Sequence, residues 1–450
     1  MSSFGLPPVE PVEVGRTPLL ALKHRDFRRL LTGYLISGTG SQMQSVAIHW
    51  HVYLLTKSAL ALGFVGLTRV LPIVIFSLWG GVLADRVDRR KLMLVTQSFM
   101  AAVAALLAIA TFSGRETLWL LYALTACSSG AGAFDAPARQ ALIPRLVPGR
   151  DLPGALSISL SVFQAGMIAG PAAAGWIIAG HAIVPGHGGV PAGVASTGGL
   201  ASIYVVNALS FLSVIFALAT MRTSGKPAAR AAGPAAHPIA DLKEGLRFVF
   251  RTPLIVWTMA VDFLATFFAG AMSLLPIFAD QVLRVGATGY GFLVSAPAFG
   301  ALAGSLYLSV RPLPARQGRI FLWAVAAYGA ATIVFGFSRH FLLTLLALAA
   351  TGAADAVSTV IRQTLRQLAT PDALRGRMTS VNMIFFMGGP QLGELEAGVV
   401  ASLFASAAVG VTVAVVTGGV ATLAVAAWVA AAAPVVRAYD FRSHRDAEPP

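Results

Sequence analysis

Charge is scarce in this chain. Of its 450 residues only 12% are Asp, Glu, Lys or Arg, and 19 acidic residues face 33 basic ones. A soluble domain carries about twice that charged fraction. Cysteine is scarcer still: Cys127 stands alone, which excludes an intrachain disulfide and a multi-cysteine metal site. Lying within an apolar run, its thiol is expected to pack. No G-x-x-x-x-G-K-[ST] loop occurs, so ATP use of the P-loop type is excluded. The start lacks the n-region, short apolar run and small-residue cleavage site of a secretory signal and reads as a cytoplasmic tail. No metal cluster, nucleophile and base pair or soluble signalling domain is found. The chain is therefore not expected to be an enzyme or to need a cofactor.

What is abundant is apolar. Hydrophobic residues make up 56% of the chain, glycine contributes 45 positions, and the mean hydropathy is +0.74. A membrane-spanning helix needs about 20 mostly apolar residues. Twelve such runs follow one another: 31–53, 60–83, 92–113, 117–137, 154–179, 200–221, 254–278, 288–310, 319–338, 341–361, 380–404 and 410–435. The expected fold class is all-α integral membrane, with twelve transmembrane helices.

The placement of the basic residues supports this reading. With the N-terminus inside, 28 of the 33 Lys and Arg fall in inner segments; Lys57, Arg115, Arg284 and Arg339 are outside, and Arg69 lies within a span. Positive residues near span ends stay on the cytoplasmic side, so both termini are expected there. The basicity reflects topology, and no nucleic-acid partner is expected.

The longest polar interruption, 222–253, separates six spans in 31–221 from six in 254–435, with tails at 1–30 and 436–450. It opens with a flexible composition, TSGKPAARAAGPAAHP. It closes on IADLKEGLRFVFRTP, where Leu242, Leu246, Phe248 and Val249 share one helix face opposite Lys243, Glu244 and Arg247. A helix along the inner membrane surface is expected. The halves repeat: Gly81 and Gly304 are 223 positions apart, as are the pairs Arg139–Gln140 and Arg362–Gln363, while Pro171 and Pro390 are 219 apart. These correspondences imply two six-helix bundles related by duplication.

Residues 80–92, GGVLADRVDRRKL, crowd Asp85, Arg86, Asp88, Arg89, Arg90 and Lys91 behind Gly81 at an inner turn. A plain positive-inside anchor would need only the cations. Residues 165–176, AGMIAGPAAAGW, place Gly166, Gly170, Pro171 and Gly175 in the fifth span, where small residues four apart allow close helix approach; Gly389, Pro390 and Gly393 are their candidates in the eleventh. FDAPARQALIPRLVP (134–148) ends the fourth span with Asp135 and Arg139 one turn apart, spaced for an ion pair, although Pro137 lies between them. The 80–92 turn resembles the signature loop of the major facilitator superfamily, with Asp88 where that family usually has glycine. The fifth span is similar to the family's exporter motif. Together with DALRGRMTS and LKEGLRFVFRTP, these segments resemble the branch that contains the enterobactin exporters. The resemblance implies a cytoplasmic latch that stabilises the outward-facing state, built from Gly81, Asp85, Arg86, Arg89 and Arg90, with Asp135, Arg139, Asp355 and Arg362 at the matching inner ends.

Within spans the acids are few: Asp135, Asp262, Asp355, Glu394 and Glu396. A charge at mid-bilayer costs about 3 kcal/mol or more, so such groups face a cavity or a partner. Residues two apart on a helix lie about 200° apart, hence Glu394 and Glu396 cannot share one environment. Expected are an outer gate in which Arg69 pairs with one glutamate, and proton coupling at Glu394 or Glu396, with Asp262 as the rival site. Gln42, Gln44, Asn207 and Gln391 are cavity-lining candidates, and His49, Trp50 and His51 read as anchors at the outer interface. The implied protein is a monomeric secondary transporter in the cell membrane, driven by protons. Its expected cargo is a small amphipathic molecule, a siderophore or drug, with export favoured over nutrient uptake. A channel, or a membrane receptor or scaffold, is the weaker alternative.

Overall fold

A computed structural model describes residues 18–180, 192–226, 238–310, 316–371 and 374–440. The described residues are almost wholly helical and contain no strand. Twelve long segments follow in order: α1 (Arg25–Thr56), α2 (Ala59–Arg86), α3 (Arg89–Phe112), α4 (Leu118–Leu146), α5 (Leu152–Gly180), α6 (Ala192–Ala219), α7 (Pro253–Phe268, with its continuation), α8 (Gly286–Val310), α9 (Gln317–Phe337), α10 (Phe341–Leu368), α11 (Arg375–Ser402) and α12 (Ala407–Ala432). Nine are long and apolar enough, by length and composition, to cross a membrane. The three that fall short, α1, α4 and α11, carry intramembrane candidates: Gln42, Gln44, His49, Asp135, Glu394 and Glu396. Polar cargo on these three helices lowers their hydropathy.

Helix starts follow local chemistry. The Ser58 hydroxyl accepts from the Ala61 N–H at 3.3 Å and Thr117 caps Leu120 in the same way. Asp88 accepts from the Arg90 N–H at 3.0 Å and the Lys91 N–H at 3.4 Å. The residue that departs from the usual family glycine is thus the N-cap of α3. Pro137 does not interrupt α4, which runs unbroken past it. Cys127 is exposed on α4 instead of packed inside.

α7 departs from the continuous span expected over 254–278. It stops at Phe268 and continues as a 3₁₀ turn (Ala271–Leu274), one α turn (Leu275–Ile277) and a π segment (Phe278–Val282). Pro276 supplies no N–H to an α ladder, and Gly270 lies so close to α11 that a Cβ there would meet the Glu394 nitrogen at 2.9 Å. A helix spans Pro238–Arg251 in the linker, with Val249 buried, Leu246 and Phe248 half-buried, and Glu244 and Arg247 exposed. The side chains of Leu242 and Lys243 lie outside the described ones.

Helices α1–α6 pack mainly with one another, as do α7–α12, and two long pairs cross between the sets, α2 with α11 and α5 with α8. For orientation, the end that the charge distribution assigns to the outside is called the outer end. There one apolar core joins both sets, running from Val46, Leu62, Ala174 and Tyr204 to Leu274, Tyr290, Ala397 and Val411. Toward the inner end it divides. Phe27, Leu30, Met93, Leu142 and Leu218 form a core in the first set, and Phe321, Ile361, Leu365 and Val429 another in the second. On the inner half of α5, Leu156, Ser157, Leu160, Ser161 and Phe163 are all exposed, an arc too wide for contact with one neighbouring helix.

Glycine makes the crossings possible. A Cβ at Gly175 would sit 2.6 Å from the Ala287 carbonyl oxygen and 2.9 Å from Gly291; one at Gly398 would sit 2.8 Å from the Ala59 carbonyl oxygen and 2.9 Å from Gly63. Gly170 likewise faces Thr39 on α1, and Gly393 faces Phe267 on α7. Gly166, Gly170 and Gly175 therefore match Gly389, Gly393 and Gly398, each 223 residues on. The pairing of Pro171 with Pro390 is corrected by one helical turn. Pro171, whose carbonyl faces Gly291, corresponds to Glu394, whose carbonyl faces Gly63. The sequence match was drawn to the shared proline, whereas the backbone contacts follow the glycines.

At Gly170 a Cβ would meet the Gln42 Cβ at 2.6 Å, but at Gly166 the nearest atom is 3.5 Å away. Gly170→Ala is expected to destabilise the protein by about 1–3 kcal/mol and Gly166→Ala by less than about 0.5 kcal/mol. Thermal unfolding of the two variants in detergent, side by side, checks the contrast.

Candidate functional site

The sealed outer end contains buried polar groups from both sets of helices. His49, Trp50 and His51, expected as interfacial anchors, are 7%, 5% and 0% exposed. On an outer-end helix packed from both sides, aromatic rings face protein. Trp50 stacks on Tyr290 of α8 with ring centroids 5.3 Å apart. The Tyr53 hydroxyl donates to Asp280 in the π segment, and Gln281 Nε2 donates to that hydroxyl at 3.3 Å. His51 Nδ1 lies 3.1 Å from the Tyr204 hydroxyl.

Glu394 answers part of the sequence expectation. It is 8% exposed, deep between α2 and α11, and Glu396 is half-buried on another face, as the 200° separation requires. The carboxylate occupies space left by Gly66, where a Cβ would meet Glu394 Oε2 at 2.9 Å. Arg69 does not pair with it: no ion pair joins Arg69 to either glutamate, and Arg69 Nη2 donates instead to Ser45 Oγ of α1 at 2.9 Å. Opposite Glu394 is His49, with Nε2 3.6 Å from Oε2. There α1 stands beside α2 and supplies partners to both residues, Ser45 to Arg69 and His49 to Glu394. The expected gate pair is replaced by a cross-half contact between α1 and α11.

A second cluster lies within the second set. Asp262 of α7 and Arg362 of α10 form an ion pair at 2.7 Å, with both side chains 3% exposed. Arg362 also lies 3.5 Å from Asp355, whose side chain is 44% exposed. It donates to Ser358 and Thr359 at 3.1 and 2.7 Å. One turn on, buried Arg366 donates to Asn382 of α11. A small pocket opens beside the pair, lined by Thr266, Tyr328, Asp355, Ser358 and Arg362 among others. Asp262 and Arg362, assigned separately to coupling and latch, are thus one unit. Sequence spacing gave no sign of it, because they lie on helices 100 residues apart.

In the first set, Asp135 is buried and accepts hydrogen bonds from Tyr34 (3.0 Å), Thr96 (3.0 Å) and Gln97 (2.9 Å). The expected Asp135–Arg139 ion pair is not formed. Arg139 lies over the Tyr34 ring, 4.6 Å from its centroid, because three neutral donors already surround the carboxylate. Arg89 donates to the Ala141 carbonyl at 3.1 Å and Arg90 to those of Met221 and Ala219 at 2.9 and 2.8 Å, all within the first set. The surroundings of Gly81 and the side chains of Asp85 and Arg86 lie outside the described ones. Of the cavity candidates, Gln44 and Asn207 are buried and satisfy each other at 2.7 Å. Gln42 packs against Gly170, and Gln391, half-buried, has a buried Oε1 without a hydrogen-bond partner among the described residues. No group of His, Cys, Asp and Glu among the described residues is arranged to hold a metal ion.

Removing one member of a buried ion pair strands the other, at a cost of about 3–5 kcal/mol. Arg362→Met is expected to lose that much stability, and Asp262→Asn combined with Arg362→Met to regain at least about half of it, because neither member of the pair is then left as a charge facing a neutral partner. Thermal unfolding of the single and double variants tests the pair.

Comparison with known proteins places the molecule. Over 379 residues the chain is 28% identical to the multidrug efflux pump Tap of Mycolicibacterium fortuitum, covering 82% of this chain and 87% of that protein. Over 358 residues it is 25% identical to the enterobactin exporter EntS of Escherichia coli O81 (strain ED1a), covering 80% and 81%. Among solved structures, a bacterial homologue of the human lysosomal transporter Spinster in an inward-facing, unoccupied conformation matches with a TM-score of 0.66 at 15% identity, covering 93% of this chain and 96% of that one. A POT family transporter in complex with 5-aminolevulinic acid matches with a TM-score of 0.69 at 11% identity, covering 92% and 96%. These structural likenesses establish a shared transporter fold. A family model described as transmembrane secretion effector matches residues 16–450, and the chain therefore belongs to that family, a multi-pass membrane transporter of the major facilitator superfamily's efflux branch.

Proposed function

We propose that this protein exports a small amphipathic molecule, a siderophore or drug, by proton-driven alternating access. In this reading all twelve long helices span the membrane, six in 31–221 and six in 254–435. The linker 222–253 and the tails 1–30 and 436–450 lie in the cytoplasm. The observation that carries it is the division of the core: one apolar core ties the halves at the outer end, and separate cores serve each half at the inner end. Two rigid bodies joined at one end of a membrane bundle have the form of a carrier open to the opposite side. Rocking would part the glycine contacts of α2 with α11 and of α5 with α8 and bring the inner ends together. There the 80–92 turn would act as the latch of the outward-facing state.

Relatives named for multidrug efflux and enterobactin export support the export direction. Glu394 is the proton site best supported, since it is the buried acid at the contact that must break. Asp262, held by Arg362 within one half, serves to hold the second bundle together. Glu396 faces away from the crossing and is the weaker coupling candidate.

Cells with and without the protein, loaded with a panel of dyes, antibiotics and siderophores, are expected to differ in accumulation of at least one compound, and an uncoupler is expected to abolish the difference. In proteoliposomes Glu394→Gln should lower proton-driven export by a factor of about 5–150, the usual size of a coupling between sites, while counterflow of labelled for unlabelled substrate continues. Unchanged proton-driven export in Glu394→Gln would remove that residue from the role. Absence of counterflow in the unaltered protein would remove the carrier reading itself.

A further inference from the structure

The contact between His49 and Glu394 carries more than a place in the outer seal. His49 Nδ1 lies 2.9 Å from the Ser45 carbonyl oxygen, an acceptor only, so that nitrogen bears the hydrogen. In neutral His49 the other nitrogen, Nε2, is then a bare lone pair. It points at Glu394 Oε2 across 3.6 Å, and both atoms are buried with no hydrogen-bond partner among the described residues. An ionised carboxylate facing a neutral imidazole presents two acceptors to each other in an apolar setting, which is costly. One added proton removes the conflict: an imidazolium faces a carboxylate, or a carboxylic acid faces an imidazole.

We propose that His49 and Glu394 together form a one-proton site whose occupancy locks the outer end shut. The proposal rests on the carrier reading above and adds the second residue and the direction. Taking up a proton from outside closes the outer gate and favours the inward-facing state. Losing it leaves two opposed acceptors and favours reopening. An exporter that exchanges substrate for protons needs this sign, since the empty carrier must return inward carrying the proton.

Other charged and titratable groups surround the pair. Arg69 of α2 is held by Ser45 Oγ, four residues before His49. Tyr290 of α8, stacked on Trp50, lies within electrostatic reach of both Arg69 and Glu394. From α11 itself Gln391 comes near, and from the continuation of α7 the Ser273 hydroxyl reaches the Glu394 carbonyl oxygen at 3.5 Å. Glu396 lies two residues on along α11, on another face, and Asp280 in the seal is engaged by Tyr53.

Spin labels on Arg115→Cys and Ala405→Cys, in a Cys127→Ser background, report the separation of the halves at the outer end. With the full-length protein in lipid nanodiscs, pulsed electron resonance from about pH 5 to about pH 9 brackets the histidine range. The closed-to-open ratio is expected to fall as pH rises, approaching about tenfold per pH unit in its steepest part, as for one coupled proton. His49→Gln, whose amide donates to Glu394 without a proton, and Glu394→Gln, whose amide donates to His49, are both expected to favour the closed form, still opening often enough for counterflow, with a ratio that varies by less than about twofold over the same range. A pH-independent ratio in the unaltered residues, or a wild-type slope in either variant, would overturn the proposal. If counterflow persists in that case, only the proton site falls and the carrier reading stands.

Discussion

An ionisable group placed in an apolar helix bundle must find a counter-charge, a ring of donors or a route to water, because the bare charge costs several kcal/mol. Among the described residues each buried acid meets that demand differently. Asp135 is surrounded by three neutral donors, Asp262 is matched to Arg362, and Glu394 faces a histidine that can neutralise it only by sharing a proton. The first two arrangements lie inside one half and bind helices into a rigid body. The third lies across the halves. The buried acids are separated by whether their partner belongs to the same set of helices.

Close backbone approach is what brings Glu394 to that boundary. Gly63, Gly66 and Gly398 let α2 and α11 touch main chain to main chain, and Gly175 with Gly291 does the same for α5 and α8. Such contacts rest on dispersion and small side chains, with little hydrophobic drive in lipid. At the same outer end Tyr53 with Asp280 and His49 with Glu394 add polar contacts between the two sets of helices.

The two halves use one plan with different chemistry at equivalent places. The 223-residue repeat of the glycines sets Glu394 where the first half has Pro171. Arg139 and Arg362 are also equivalent, yet one lies over the Tyr34 ring and the other grips Asp262. The packing glycines repeat at 223 residues while the polar positions between them differ.

Much was legible from the residues alone. Helical class, the run of apolar segments, the linker helix with buried Val249 and exposed Arg247, and the different environments of Glu394 and Glu396 follow from hydropathy, helical period and the cost of buried charge, which are local or additive properties of the chain. The partners were not legible. Arg69 turned to Ser45, His49 left the interface for Glu394, and Asp262 joined Arg362 across 100 residues. Depth along a helix can be counted in sequence, but the direction a side chain faces depends on which helix stands next to it. That neighbour is chosen by glycine contacts between distant segments, so only the assembled bundle decided which charges meet.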